Sequence, residues 1–422
     1  MKLRFAYKWE VLALLWWAFF NNQTDRQAFN VVLPLIREDL QVTDIQIGII
    51  ATSFNLVFAL FVPLAGYLGD IVSRKWILTI SILYWSTATM MTGLSTGFLL
   101  LILFRCSTSA GESFFGAPHA AMLGSYHKET RSTAFSILQT AYYSGMILAG
   151  FMAGYIGDRW GWRTVFYSFG AFGIINGLVM LFRLKDKKED TGNKDVTLKN
   201  AEDFIGIEKV GFFDGFRVLF TTPSALFLAI AFSIFIFVLT GYLTWMPTYL
   251  YENFNMSLAQ AGFHSMFYTH LFAFIGILFA GRFSDLSAKK DPSRRLLLQG
   301  MGLLVSAPFI FLMGNSMILP IIYFGFAGFG FGRAFFDANT YAILYDVIPE
   351  KYHSSVSGAM IMCGFGIGSL SPLFLAYMKS FFDLSFGITV LGIFWIIAAI
   401  ILTVSFKYYF KKDYKKALQS QG

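Results

Sequence analysis

Residues 66–75 read Gly-Tyr-Leu-Gly-Asp-Ile-Val-Ser-Arg-Lys, and residues 281–290 read Gly-Arg-Phe-Ser-Asp-Leu-Ser-Ala-Lys-Lys. The two segments share a glycine, an aspartate and two adjacent cations at the same spacing. Each is a short charged loop between the second and third long apolar runs of its half of the chain. Matching loops and matching hydropathy in two halves are typical of membrane proteins that are built from internal repeats.

The composition places the chain in a membrane. Of its 422 residues, 56% are hydrophobic, 18% aromatic and only 14% charged, and the mean hydropathy is +0.59, whereas a soluble globular chain carries about 25% charged residues. The net charge of +8 is interpreted by position, because basic residues on one side of a membrane report topology rather than a nucleic-acid partner. Cys106 and Cys363 lie in apolar runs without metal-site spacing, which favours core packing over a disulfide framework.

Twelve apolar runs are long enough to cross about 30 Å of hydrocarbon as helices. The first runs from Trp9 to about Pro34. The others are near 45–68, 75–95, 98–121, 132–156, 162–183, 224–250, 257–283, 295–314, 317–347, 354–378 and 384–406. The sequence therefore predicts an all-α integral membrane protein with twelve transmembrane helices in two pseudo-symmetric six-helix bundles. Its predicted parts are an N-terminal bundle (1–184), a cytoplasmic linker (185–222), a C-terminal bundle (223–408) and a basic cytoplasmic tail (409–422).

The orientation follows from the lysines and arginines. With the N-terminus in the cytoplasm, roughly 26 of the 33 basic residues are cytoplasmic, as the positive-inside rule requires. The exceptions on the outer side are Arg37, Arg159, Arg163 and Lys379. Both termini are therefore predicted to be cytoplasmic. Three further arginines fall inside predicted spans: Arg26, Arg105 and Arg333.

Charges inside the spans indicate where function lies. A charge at mid-bilayer costs about 2.5–3.5 kcal/mol on insertion scales, so it needs water, a partner or a substrate. In the first span Asn22, Arg26 and Asn30 share one helical face, and Asp25 lies on another face, one turn after Asn21. This face lines a wet cavity, or else Asp25 and Arg26 form a structural pair that fixes helix packing.

The fourth span carries a row of polar residues on one face, at i+4 and i+3 spacing. They are Arg105, Ser109, Glu112, Gly116 and His119. Such a row suits a path for a proton or an anion, since carboxyl and imidazole groups inside membranes commonly relay protons. The alternative is a polar seam against the first or second span.

The tenth span has the same position in the second half of the chain as the fourth span has in the first half. Arg333, Asp337 and Tyr341 follow one another at helical spacing, and Asn339 lies on a neighbouring face with Thr340. Arg333 either neutralises Asp337 along the helix or meets a substrate anion.

Small residues mark the fifth and eleventh spans. Gly145, Gly150 and Gly154 recur in the fifth, and the eleventh combines several glycines with Pro372. Small residues let helix backbones touch, which suits a seam between two moving halves or equally a static packing.

The duplicated loops resemble the G-x-x-x-D-x-x-x-[RK]-[RK] signature of the major facilitator superfamily. Three further features resemble the anion:cation symporter branch of this superfamily, which carries sugar acids and other organic anions. They are Asp25-Arg26, the Arg105-x6-Glu112 spacing and the segment at 160–163 (Trp-Gly-Trp-Arg). That resemblance implies proton coupling by Asp25 and Glu112 and anion handling by Arg26. The Asp-Arg and Gly-Glu features are also similar to those of Spinster-like lipid carriers.

The sequence thus predicts a proton-coupled symporter of a small organic anion that works by alternating access, with a cavity lined mainly by spans one, four, seven and ten. The predicted substrate-binding residues are Arg26, Asn22, Asn30, Arg105, His119, Arg333, Asp337, Asn339 and Tyr341. The predicted conformational latch consists of Gly66, Asp70, Arg74, Gly281, Asp285 and Lys289. We expect a monomer in a bacterial inner membrane, surrounded by lipid, with a small-molecule substrate, no cofactor beyond the proton gradient and no nucleic-acid partner.

Several alternatives remain open at this point. A Spinster-like lysolipid or lipid carrier and a neutral-sugar carrier fit the same superfamily, and sodium coupling or export fits the same charges. A membrane enzyme would need a nucleophile–base pair or a ligand cluster near one interface. The sequence offers only scattered histidines for that role and no nucleotide-binding motif, so the chain is not predicted to be an enzyme.

Overall fold

The computed structural model describes residues 7–127, 129–186 and 213–419, and this part of the chain is almost entirely helical. A single turn of 3₁₀ helix, Glu350–Tyr352, precedes the α-helix that begins at His353. The α-helices are α1 Tyr7–Val31, α2 Leu33–Leu40, α3 Asp44–Ile71, α4 Arg74–Thr92, α5 Phe98–Ser113, α6 Gly116–Tyr126, α7 Arg131–Arg183, α8 Asp214–Thr221, α9 Pro223–Phe254, α10 Leu258–Ala288, α11 Arg294–Asn315, α12 Leu319–Val347, α13 His353–Gly368, α14 Ser371–Phe381, α15 Leu384–Tyr408 and α16 Phe410–Gln419. Within the described residues, nine helical stretches are long and apolar enough to cross a membrane.

Three predicted boundaries differ from the observed ones. The fifth and sixth predicted spans form one helix, α7, which is broken at Gly161, where φ is +80° and only glycine fits without strain. The fourth span is divided between α5 and α6, because the amides of Phe114 and Phe115 bond three residues back and tighten the turn directly after Glu112. The eleventh is divided between α13 and α14, where Pro372 lacks the amide needed to continue a helix.

The duplicated signature segments are helix ends rather than loops. Helix α3 continues to Ile71 and α4 starts at Arg74, so only two residues separate them, and α10 continues past Asp285 to Ala288. The carboxylate of Asp285 pairs with Arg295 of α11 at 3.2 Å, inside the same half. The side chain of Asp70 and the surroundings of Gly66 lie outside the described part of the structure.

The other latch residues are accessible in this structure. Lys289 follows α10 and is exposed, Arg74 is partly exposed at the start of α4, and a Cβ added at Gly281 would meet open space. The role of these residues as a conformational latch therefore remains a prediction.

The two halves touch through small residues near one end of the molecule. A Cβ added at Gly150 of α7 would lie 2.3 Å from the carbonyl oxygen of Gly262 in α10, and one at Gly154 would lie 2.3 Å from the amide nitrogen of Ala259. Helix α3 approaches α14 in the same way, with a Cβ on Gly48 placed 2.8 Å from the Cβ of Ala376. The close backbone approach expected of the fifth span is confirmed, and it joins the two halves.

Two short helices cover the opposite end. Helix α8 lies in the predicted linker and packs against α13 through Gly215. Residues 187–212 of that linker are outside the described part of the structure. The predicted tail contains helix α16, whose Asp413 accepts hydrogen bonds from the amide and hydroxyl of Ser224 at 2.8 and 2.7 Å. A buried carboxylate from the tail thus caps the first turn of α9.

We expect Asp413→Ala to lower the free energy of unfolding by about 1 kcal/mol, because loss of a helix-capping acceptor typically costs about 0.5–2 kcal/mol. Thermal melting of the purified protein in detergent measures the change. Asp413→Asn is the matched control, since its amide oxygen still accepts from Ser224. An alanine variant that melts with the parent would show that α16 does not stabilise α9.

Candidate functional site

The middle of α1 is polar and buried. Asn21 and Asp25 are fully buried, and Oδ2 of Asp25 accepts hydrogen bonds from Asn21 Nδ2 at 3.3 Å and from Trp85 Nε1 of α4 at 3.1 Å. The second oxygen, Oδ1, has no hydrogen-bond partner in the described part of the chain. Asp25 is therefore a half-satisfied carboxyl group between α1 and α4.

Arg26 pairs with Glu112 of α5. Its Nε lies 2.5 Å from Glu112 Oε2, with 23% of the arginine side chain exposed and none of the glutamate side chain. The pairing of Arg26 with Asp25 considered from the sequence is wrong, because neighbouring residues on a helix point about 100° apart. Oε1 of Glu112 has no hydrogen-bond partner among the residues described.

Arg105 is a buried cation held between two aromatic rings. Its guanidinium carbon lies 4.5 Å from the ring centroids of both Phe29 and Phe54, a geometry that stabilises a cation. The residue is only 2% exposed, and its Nε and one terminal nitrogen find no hydrogen-bond acceptor within the described chain. Arg105 thus has donors available for an anion.

Asp25, Arg26, Arg105 and Glu112 form a four-charge cluster. With both carboxyl groups ionised the cluster is neutral, and each proton bound adds one positive charge. Because an uncompensated charge inside a membrane is costly, each protonation favours the entry of negative charge. The cluster can therefore link proton binding to anion binding.

A cavity of about 230 Å³ borders this cluster and the C-terminal half. Arg26 and Arg105 contribute to its wall, whereas Asp25 and Glu112 lie behind it. The lining residues are Phe19, Gln23, Arg26, Gln27, Phe29, Asn30, Ala51, Phe54, Asn55, Arg105, Tyr142, Met146, Ile236, Leu239, Thr240, Leu243, Thr244 and Phe365. They come from α1, α3, α5, α7, α9 and α13.

The predicted cavity helices are thus only partly correct. Spans one, four and seven line the cavity as α1, α5 and α9, but of the described helices α12, the tenth span, is not among those that line it. The sequence also missed Tyr142, Thr240 and Thr244. The two threonines are one helical turn apart in an apolar run, which is the signal that could have identified them.

Several predicted substrate-binding residues lie elsewhere. His119 stacks on Phe115 at 4.4 Å, and its Nε2 lies 3.3 Å from the carbonyl of Leu15. Asn339 donates to the Ser284 hydroxyl at 2.9 Å, so it fastens α12 to α10. Tyr341 is 41% exposed. Helix packing accounts for the first two positions.

The remaining predicted residues divide between the cavity and its surroundings. Asn30 lines the cavity and donates to Gln27 Oε1 at 3.2 Å. Asn22 is buried, is not among the residues that line this cavity, and accepts a hydrogen bond from Gln23 Nε2 at 2.8 Å. Arg333 and Asp337 face one another on α12 with 3.8 Å between Nε and Oδ2.

A set of ion pairs joins the halves at the end where their backbones touch. Arg37 of α2 contacts Asp44 of α3 at 3.0 Å and Glu252 of α9 at 2.6 Å. Lys379 of α14 contacts the same two carboxylates at 3.2 and 2.9 Å. We call these four residues the ion-pair quartet. Beside it, Asp158 of α7 accepts from the first amides of α10, so this end is closed.

Comparison with known proteins identifies the family. The family model described as "Major Facilitator Superfamily" matches residues 15–372 of this chain. The chain is 25% identical over 88% of its length to the hexuronate transporter of Bacillus subtilis, with 88% of that protein covered. It is 27% identical to a protein of Cupriavidus necator named "Probable sulfoacetate transporter SauU", with 92% of each chain covered. The crystal structure of a bacterial homologue of the lysosomal transporter Spinster superposes with a TM-score of 0.81 at 19% identity, covering 96% of this chain and 98% of that one.

Proposed function

The chain belongs to the major facilitator superfamily, and from that premise we propose that this multi-pass membrane transporter carries a small organic anion together with protons. The observation that supports this most directly is the presence of two arginines in the cavity wall. Arg26, which is partly buried, is bound by Glu112, and the buried Arg105 lacks an acceptor among the described residues for two of its nitrogens.

Twelve spans with both termini in the cytoplasm are part of the proposal. The nine apolar stretches omit α1 and α4, which are long enough to cross a bilayer, and α7 contains two spans separated at Gly161. The even number puts both termini on one side, and the distribution of lysine and arginine favours the cytoplasm. Residues 1–184 and 223–408 would then form the two bundles, in a bacterial inner membrane.

We infer that the proton and the anion are coupled through Arg26. When Glu112 is ionised, its carboxylate binds the guanidinium of Arg26. An incoming carboxylate and Glu112 therefore compete for the same N–H donors. Protonation of Glu112 removes that competitor and leaves Arg26 and Arg105 free for the substrate. Release follows the reverse order, since deprotonated Glu112 displaces the anion from Arg26.

The names of similar proteins agree with an acidic substrate. Hexuronate and sulfoacetate are both organic anions, and they are the substrates named for two relatives of this chain. A lysolipid carrier is the second candidate, favoured by the apolar part of the cavity wall, which includes Phe19 and Leu239. The two candidates differ in whether the arginines or the apolar wall dominate binding.

Uptake by proteoliposomes with an imposed pH gradient tests the function. We expect accumulation of an acid such as a hexuronate, collapse of that accumulation with a protonophore, and insensitivity to a sodium gradient. A neutral hexose and a lysolipid are the comparison substrates. Accumulation of either one in preference to the acids would overturn the organic-anion assignment and leave the superfamily assignment intact.

We propose that transport proceeds by alternating access and that the quartet closes the outer side. Four residues from four helices hold this end through ion pairs of 2.6–3.2 Å, and their side chains are 13–33% exposed, so solvent weakens each pair. The structure then corresponds to a state whose cavity is shut to the outside. The signature segments would latch the opposite end in the other state.

Removing both cations of the quartet with Arg37→Gln and Lys379→Gln together should raise outward access to the cavity several-fold, because Asp44 and Glu252 then repel each other across the seam. A cysteine at Thr244, in a background with Cys106 and Cys363 replaced, reports this through its labelling rate with a membrane-impermeant maleimide.

Arg159→Gln is the control, because Arg159 bonds the Tyr155 hydroxyl on its own helix. It should label like the parent. Equal labelling of the quartet variant and the parent would contradict the role of these ion pairs in closing the outer side.

A further inference from the structure

Gln27 is a buried amide in the wall of the cavity. It belongs to α1, lines the cavity together with Arg26, and is 1% exposed. Its Nε2 has no hydrogen-bond partner in the described part of the chain, although this nitrogen carries two N–H donors. Because an unpaired buried donor is destabilising, a ligand atom that accepts a hydrogen bond here would be bound favourably.

Asn30 fixes the orientation of this amide. Its Nδ2 donates to Gln27 Oε1 at 3.2 Å, and the two residues lie nearly one turn apart on α1. That hydrogen bond occupies the oxygen of Gln27 and leaves the nitrogen free. Gln27 is therefore held as a donor rather than as an acceptor.

Other polar side chains of the cavity wall already use their donors inside the protein. Gln23 donates to Asn22 Oδ1 at 2.8 Å, Asn55 to the carbonyl of Ala51 at 2.9 Å, and Thr240 to the carbonyl of Gly368 at 2.7 Å. Gln27 differs from these three residues, because its amide nitrogen is unpaired within the residues that the structure describes. It is thus better placed than they are to bind a ligand directly.

The position of Gln27 on α1 indicates which ligand atom its donor meets. Gln27 directly follows Arg26, so their Cα atoms are about 3.8 Å apart, and both residues line the cavity. A carboxylate bound by Arg26 and Arg105 has donors from two guanidinium groups, each with five N–H bonds. The next acceptor that Gln27 can reach is an oxygen on the carbon beside that carboxylate, the α-carbon.

We propose that Gln27 is a specificity-determining residue that selects organic acids with a hydroxyl group on the α-carbon. This rests on the proposed function, in which Arg26 and Arg105 bind the acid group. The Gln27 amide donates to the α-hydroxyl oxygen, and Asn30 holds the amide in place. An acid with a plain methylene at that carbon leaves the donor unpaired, and a site built to hydrogen-bond a hydroxyl group rejects the analogue that lacks it.

Two acids that differ by one oxygen atom test the proposal. D-gluconate and 2-deoxy-D-gluconate share a carbon chain and a carboxylate, and only the first has a hydroxyl on the α-carbon. Titration of the detergent-solubilised protein measures both affinities. We expect the parent to bind gluconate about tenfold more tightly, the size of one hydrogen bond whose loss leaves a buried donor unpaired.

Gln27→Met keeps the length of the side chain without its donors. It should reduce the preference for gluconate to less than about threefold, and it should do so by weakening gluconate rather than by tightening the deoxy acid. Asn30→Ala removes the group that orients Gln27 and should act in the same direction with a smaller effect. It is the second variant if Gln27→Met does not fold. Gln139→Met is the matched control, because Gln139 is exposed on α7 and should leave both affinities unchanged.

Equal affinity of the parent for the two acids would overturn the assignment of Gln27. An unchanged preference in the folded variants would do the same, and so would an equal loss of both acids in Gln27→Met. If the parent binds a hexuronate but neither test acid, the assignment of Gln27 fails and the proposed function stands. A parent that binds none of the three acids would overturn the proposed function as well.

Discussion

Glu112→Gln is expected to abolish accumulation driven by a proton gradient while exchange of labelled for unlabelled substrate continues. Glutamine cannot ionise, so it never competes with the substrate carboxylate for Arg26, which Glu112 holds at 2.5 Å in the parent. Substrate affinity should then become nearly independent of pH. Without a proton to release, the gradient no longer drives uphill movement.

The measurement uses proteoliposomes, first with an inside-alkaline gradient and then with equal pH on both sides and preloaded substrate. Glu38→Gln is the matched control, because Glu38 is an exposed acid of α2 that should leave both activities unchanged. Accumulation by Glu112→Gln at the parental level would remove this residue from coupling. Loss of exchange as well as accumulation would indicate that Glu112 is needed to hold the site together.

The charged residues of the site could be predicted from the sequence, but which acid pairs with which arginine could not. Asp25, Arg26, Arg105 and Glu112 stood out because charges in apolar spans are expensive. Which acid meets which base depends on how α1 and α5 are rotated against one another, and periodicity within one helix carries no information about that. The sequence therefore left open the Asp25–Arg26 pair, and the structure contains Arg26–Glu112.

The aromatic partners of Arg105 could not be identified from the sequence either. The chain has 49 phenylalanines, and Phe29 and Phe54 carry no sequence feature that separates them from those facing lipid. The assignment of the tenth span to the cavity failed for another reason, since it assumed that the two halves contribute equivalent helices. In this structure α9 and α13 supply the C-terminal wall.

Contacts between distant segments account for the rest. Arg37 and Lys379 were recognised from the sequence as rare outer cations, but their role in the quartet depends on Asp44, which is 335 residues from Lys379. Tail docking through Asp413 likewise joins positions 189 residues apart. Hydropathy and charge distribution locate such residues along the membrane normal, and only tertiary packing determines their partners.

Arg105→Gln should weaken binding of an organic acid about 100-fold, equivalent to about 2.7 kcal/mol, which is within the range of a charge-assisted hydrogen bond. Arg105 has two nitrogens without an acceptor among the described residues, so its donors are available to the substrate whether or not Glu112 is ionised. Arg105→Lys keeps the charge but loses the planar group that lies 4.5 Å from two rings, and we expect an intermediate loss of about tenfold.

Titration of the purified variants with the acid measures these affinities, and thermal melting establishes that each variant is folded. Arg159→Gln serves again as the control, since it removes a cation at the outer end and should bind like the parent. The order of the three affinities separates two roles for Arg105. A substrate contact predicts parent, then lysine, then glutamine, because charge and planarity each contribute. A purely structural cation predicts that glutamine, which is neutral and needs no anion in the membrane interior, binds the acid as well as the parent does.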